Sequence, residues 1–160
     1  MTHGITVDHV RLATTEDLRR LVDLMTDFYA ESGYVLDRSH AEEAFAALLA
    51  DPRLGRIWLI RRDSEYVGYV VIAFVFGMEY GGTMAVVDDF YVSPPSRIAG
   101  VGTAALAEVR LFCAHLGIRA MTVEVGHENA VAQSVYRRIG FVKTDRQLMT
   151  LRLADPTHVE

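Results

Sequence analysis

Apolar positions along the chain recur first at helical and then at strand intervals. Val10-Arg11-Leu12 reads as a short strand, and Leu18, Leu21, Val22, Met25 and Phe28 then share one face of a helix. Thr14 stands before that helix as an N-cap, and Gly33 ends it. Ala44, Phe45, Leu48 and Leu49 repeat at helical spacing behind Ser39-His40-Ala41-Glu42, which has the spacing of a capping box. Asp51-Pro52 closes this second helix, because a residue before proline is pushed out of the α region. The pattern then changes. Residues 57–60, 66–78 and 84–92 are rich in β-branched and aromatic side chains and are separated by Asp63-Ser64-Glu65 and Gly81-Gly82. They predict three consecutive antiparallel strands, the second long enough to hold a bulge.

A strongly apolar helix is expected from about Gly100 to Leu116, stopped by Gly117. Met121, Val123 and Val125 alternate with Thr122 and Glu124 as a strand does, and Asn129 caps a further helix that ends at Ile139-Gly140. Residues 141–143 and 147–153 complete the reading as a strand pair, with 154–160 as a frayed tail. No repeat or linker interrupts the chain, so 1–160 reads as one domain. The order predicts an α+β fold in three layers, α/β/α. Its mixed, mostly antiparallel sheet has about seven strands, with about four helices.

Composition narrows the function classes. The 160 residues carry a net charge of −5, and adjacent basic residues occur only as Arg19-Arg20, Arg61-Arg62 and Arg137-Arg138. A nucleic-acid partner would need a concentrated cationic face, so none is expected. The longest apolar run, 66–76, is shorter than the roughly 20 residues that span a bilayer. The first ten residues are polar and lack the apolar core of a signal peptide. A single cysteine, Cys113, sits among apolar neighbours and suits a buried thiol in a reducing compartment. The expectation is a cytoplasmic protein without a membrane partner. The six histidines show no metal-ligand spacing, and no Gly-x-Ser-x-Gly elbow occurs. No metal site is expected.

The most informative stretch joins a strand, Val87-Asp88-Asp89-Phe90-Tyr91-Val92, to the turn Arg97-Ile98-Ala99-Gly100-Val101-Gly102-Thr103 at a helix start. Backbone N–H groups of such a turn point into one concavity and add to the positive end of the helix dipole. Glycines let an anion approach those amides, and Arg97 adds charge at the edge. The same glycines satisfy a rival pattern. Gly100-x-Gly102-x-x-Ala105, with Glu124 lying 24 residues beyond Gly100, fits a dinucleotide fingerprint. Seven residues between Val92 and Gly100 are too many for that tight turn, and the strands before it read as antiparallel.

Arg97-Ile98-Ala99-Gly100-Val101-Gly102 also resembles the Arg/Gln-x-x-Gly-x-Gly/Ala signature of the GNAT superfamily of acyl-CoA-dependent N-acetyltransferases. A second match follows in order: Asn129, Ala132, Tyr136 and Gly140-Phe141 resemble that family's Asn-x-x-Ala-x-x-x-Tyr-x-x-x-Gly-Phe helix. Ile98 departs from the glycine that many members carry. The resemblance implies a GNAT-like fold and acetyl-CoA as acyl donor. It places the diphosphate of coenzyme A on the amides from Ile98 to Thr103. The pantetheine arm would run along Phe90, Tyr91 and Val92, with Asn129, Ala132 and Tyr136 beside it. It further implies Val92 N–H as the carbonyl donor, Asp88 as the base where glutamate is commoner, and Tyr136 as the acid for the departing thiolate. A homodimer is also implied.

Each role has a plainer competitor. Asp88 and Asp89 also read as strand-end carboxylates on opposite faces, Tyr136 as core, and Asn129 as a helix cap. The resemblance puts the acceptor near Tyr29, Tyr34, Glu79, Tyr80 and Asp88. Rings and carboxylates together suit a cationic amine, whether a small amine, a polyamine, a peptide amine or an aminoglycoside. Those rings also suit plain loop packing. A non-catalytic module that binds coenzyme A or a partner stays open beside the enzyme, as does, more remotely, an NAD(P)-binding protein.

Overall fold

A computed structural model describes residues 9–97 and 100–154. Five strands, β1 (His9–Leu12), β2 (Gly55–Arg62), β3 (Glu65–Gly77), β4 (Gly82–Val92) and β5 (Met121–Val123), form one sheet in the order β1-β2-β3-β4-β5. All neighbours pair antiparallel except β4 and β5, which are parallel. The parallel step needs a crossover, and α3 (Val101–His115) supplies it. The other helices are α1 (Leu18–Glu31), α2 (Arg38–Ala50) and α4 (Ala130–Ile139).

Strand alternation feeds two cores. Val70, Ile72, Ala85 and Val87 pack with Val101, Ala105, Leu106 and Val109 of α3 and with Tyr136 and Ile139 of α4. On the other face Leu59, Tyr69, Val71 and Tyr91 meet Leu21, Val22 and Leu24 of α1 and Phe45 of α2. The three-layer arrangement read from the sequence is therefore present. Each fully buried Leu, Ile or Val adds about 1.5–3 kcal/mol of apolar transfer, so the layers hold by burial more than by helix propensity. The expected bulge in the second of the three middle strands is also present. Ile60 lies opposite Gly68 but Arg61 opposite Tyr66, which leaves Val67 as an extra residue of β3.

Three expectations are corrected. Asp37, not Ser39, caps α2, its carboxylate accepting from His40 N–H at 3.1 Å. Thr14 caps a single 3-10 turn (Thr15–Asp17), and α1 starts only at Leu18. The sheet has five strands among the described residues, since 141–143 and 147–153 form none. Val142, Leu148, Met149, Leu151 and Leu153 stand exposed there. Their alternation has the period of a strand, but a strand exists only where another edge pairs with it.

The entry to α1 holds a buried carboxylate. Asp17 accepts from Nη1 and Nη2 of Arg11, both at 2.8 Å, from Arg20 at 2.7 Å and from Thr14 N–H at 2.8 Å. Hydrogen bonds from Arg11 outweigh the burial of Asp17 and hold its carboxyl well below the usual range.

Candidate active site

The site begins with an irregularity in β4. Val87 lies opposite Ile72, but Asp89 lies opposite Val71, so Asp88 is an extra residue and β4 is bulged. A bulge shifts the alternation of a strand by one, which has two consequences here. Before it, Ala85 N–H points toward β5 and donates to Ala120 O at 2.9 Å. After it, Ser93 N–H points to β3 and donates to Val67 O at 2.7 Å. Odd positions thus change sides, and Val92 turns its own N–H and C=O toward the β5 side. Arg97 Nε donates to that carbonyl at 2.7 Å. The β4–β5 pairing has ended by then, its last pair being Val87 with Val123. The Val92 amide therefore faces the gap where the two strands have parted.

The second consequence concerns the acids. Phe90 and Val92 keep to the α3 side of the sheet, while Tyr91 faces α1. Asp88 and Asp89, expected on opposite faces, both line the same cleft of about 1010 Å³. Tyr69, fully buried, donates its hydroxyl to Asp89 Oδ2 at 3.0 Å. Burial raises the Asp89 carboxyl above the usual range; the Tyr69 hydrogen bond opposes this, and the charge of Asp88 adds to it. A partly buried acid with one phenol donor beside a second acid is a recognisable proton-handling arrangement.

The turn after β4 forms the cleft's other wall. Ile98 and Ala99 lie outside the described residues. Gly100 takes φ +83°, a left-handed conformation that side chains rarely adopt, and serves as the N-cap of α3. A Cβ on Gly102 would come within 2.9 Å of the Phe90 ring, so a larger residue would have to push that ring aside. The hydroxyl of Thr103, in the first turn of α3, is buried without a hydrogen-bond partner. A left-handed glycine, the opening N–H groups of α3 and an unpartnered hydroxyl fit a bound diphosphate.

Helix α4 completes the cleft. Asn129 caps it, accepting from Ala132 N–H at 3.1 Å. Tyr136 lines the cleft while its ring packs at 6.1 Å from Phe90 and 5.5 Å from Phe141. Tyr136 is thus part of the core along its ring and borders the cleft at its edge. Burial pushes its phenol up to about 12, so it keeps its proton at neutral pH.

The family model described as "Acetyltransferase (GNAT) family" matches residues 18–141. The chain belongs to the GNAT acetyltransferase family. One relative, the uncharacterized N-acetyltransferase YhfO of Bacillus subtilis (strain 168), is 21% identical over 136 residues, 83% of this chain and 89% of that protein. An integron cassette protein, HFX_CASS3, from the mobile metagenome of Cole Harbour Salt Marsh is 46% identical. It superposes with a TM-score of 0.85 over 92% of this chain and 91% of that one. A predicted acetyltransferase of Clostridium acetobutylicum, solved with acetyl-CoA, shares the GNAT fold at 20% identity and a TM-score of 0.75, over 89% of this chain and 95% of that one.

Within this GNAT fold the expected acceptor residues separate into two groups. Tyr29 lies within electrostatic reach of the acids, its phenol raised first by burial and then by Asp89 and Asp88. Tyr29 and Tyr34 line a smaller pocket of about 390 Å³ between α1 and α2. Glu79 and Tyr80 sit on the β3–β4 turn, at the other end of β4. Six residues of strand, roughly 20 Å at about 3.3 Å each, separate that turn from Asp88. Glu79 is held there by Arg146 at 2.8 and 3.1 Å. Sequence reasoning did not single out Asp89 and Glu31, which line the cleft, or Tyr69, which bonds to Asp89. Adjacent acids before an aromatic strand end were a signal for the first; no local signal marked the other two. Among the described residues no three His, Cys, Asp or Glu side chains gather as a metal site requires, and no helix is long and apolar enough to cross a membrane.

Proposed function

We propose that this GNAT protein transfers the acetyl group of acetyl-CoA to an amine by direct attack within a ternary complex. The observation that carries the reading is the convergence, in one cleft, of the diphosphate-fitting turn, the outward Val92 amide and the Asp88–Asp89 pair. The first turn of α3 and the turn before it hold the diphosphate. The pantetheine arm runs along the edge of β4 that β5 leaves unpaired, between Phe90 and Val92. The acceptor enters from the α1 side, past Tyr29.

An ammonium has no lone pair, so its proton must leave first; Asp88 takes it, directly or through water. The amine nitrogen then bonds to the thioester carbon, and the Val92 N–H donates to the carbonyl oxygen as negative charge gathers there. Collapse breaks the C–S bond, and the Tyr136 hydroxyl gives its proton to the sulfur. The proton that the new amide nitrogen sheds returns through water to the Tyr136 oxygen, amide and thiol leave, and the proton on Asp88 passes to solvent.

The first test is thermal unfolding with acetyl-CoA, coenzyme A, NADH or NADPH in excess. A ligand of the folded state at about 100 times its Kd adds roughly 2.7 kcal/mol, a shift of several degrees. Stabilisation by the two coenzyme A species alone is expected; stabilisation by the nicotinamides instead would reject the reading. With an acceptor from an amine panel, Asp88→Asn should lower kcat by about 10²–10⁴-fold and Tyr136→Phe by about a hundredfold, with Kd for coenzyme A unchanged. Full activity in both variants would remove their roles. Coenzyme binding with no acetylation of any amine would favour the non-catalytic module.

A further inference from the structure

One contact joins the cofactor turn to the acceptor side of the cleft. Glu31 is the last residue of α1, and its carboxylate accepts from both terminal nitrogens of Arg97, from Nη1 at 2.5 Å and from Nη2. The two residues are 66 positions apart in the chain and both line the large cleft. The remaining face of the guanidinium is fixed by Nε on Val92 O, with the group standing 5.8 Å from the Tyr91 ring centroid. Arg97 thus has one bidentate edge to offer, and Glu31 holds it. That edge fits carboxylate and phosphate alike. Glu31 stands where a turn suited to anions would present its arginine to a ligand.

We propose that Glu31 is an internal anion which the diphosphate of coenzyme A displaces from Arg97, so that seating the coenzyme releases the end of α1. The inference rests on the coenzyme A reading given above. Two observations give it direction. A carboxylate left beside a diphosphate repels it, so Glu31 opposes binding wherever it stays. The chain just beyond Glu31 passes through Gly33, at φ +80°, into Tyr34, Val35 and Leu36, which line the smaller pocket. Release of Glu31 therefore acts on the wall of that pocket. The pair is more than a third exposed on each side, with side-chain exposures of 37% and 40%, so water and salt already weaken it and exchange is easy.

The test is calorimetric titration of coenzyme A into the wild type, Glu31→Gln, Arg97→Gln and the double variant. Glu31→Gln should bind coenzyme A about fivefold more tightly, about 1 kcal/mol, and the gain should vanish in the Arg97→Gln background. Amide exchange across residues 29–37 should quicken when the wild type is saturated with coenzyme A and stay unchanged in Glu31→Gln. Equal or weaker binding by Glu31→Gln, with wild-type binding intact, would make Glu31 a strut that supports Arg97 and would overturn the proposal alone. A wild type that binds no coenzyme A would overturn the coenzyme reading itself, and the proposal with it.

Discussion

Two carboxylates face the α1–α2 side of the sheet, and the chain treats them in opposite ways. Asp17 is enclosed by two arginines and a backbone N–H, and its carboxyl is held well below the usual range. Asp89 has a phenol donor in Tyr69 and a like charge in Asp88, and burial holds its carboxyl above that range. The first is satisfied and joins β1 to the start of α1. The second is undersupplied and lies in the cleft. An acid kept short of donors has somewhere to put a proton; one that is fully supplied does not. The contrast separates the two acids, and three substitutions test it.

The largest effect is expected at Asp17. Asp17→Asn should destabilise the fold by about 2–3 kcal/mol at pH 7 in urea unfolding, since hydrogen bonds to charged groups are among the stronger ones. The figure stays below that of a fully buried pair because Arg11 and Arg20 are 28% and 42% exposed and can turn to water. A depressed folded pKa gives stability that is present above the unfolded value of about 3.9 and is lost as pH falls toward the folded one. The gap between wild type and Asp17→Asn should therefore be widest at neutral pH and close below about pH 4. A gap that held constant into acid would mean that side-chain shape, not charge, makes this contact.

Tyr69→Phe comes next. It removes the hydroxyl that donates to Asp89 and leaves the ring in its core, where it packs at 5.9 Å from Phe45. The expected loss is about 1 kcal/mol at pH 7. Without the phenol the Asp89 carboxyl rises further, so the acidic limb of the kcat/KM profile should move to higher pH while Kd for coenzyme A stays put. An unmoved limb would show that the Tyr69–Asp89 bond serves packing alone.

What the sequence disclosed divides along the same line. The turn before α3 and the start of α4 were readable because their signals are local. Gly100 announces a left-handed turn that side chains rarely adopt, and Asn129 announces a helix start that it does cap. The middle strands and four helices were readable for the same reason, since period and caps are short-range properties. The acid side depends on register. The bulge at Asp88 exists only relative to β3, and Tyr69 reaches Asp89 across 20 positions of chain. The Arg97–Glu31 pair spans 66 positions and could not be inferred from either motif. The two C-terminal strands failed in the reverse sense. Alternation in 147–153 is a local signal, but strand formation needs an edge to pair with.

The smallest expected effect is the sharpest, because its sign is opposite to that at Asp17. Asp89→Asn keeps an oxygen that accepts from Tyr69 and removes a charge that burial and Asp88 both disfavour. A group whose folded pKa is raised contributes stability below its unfolded pKa of about 3.9, and loses it as pH rises through the folded value. At pH 7 the wild type has lost that contribution and the asparagine variant has not. The variant should therefore be more stable at pH 7. Its advantage should vanish below about pH 4, where wild-type Asp89 is protonated as well. Turnover should fall at the same time, since the acid pair would have lost half its charge beside the acceptor. Urea unfolding of both proteins at pH 4 and pH 7 reads the sign directly. A variant destabilised at pH 7 would place Asp89 with Asp17 among the structural acids, and the contrast between the two would be gone. A gain in stability together with a loss of turnover is the signature of a residue kept strained for its chemistry.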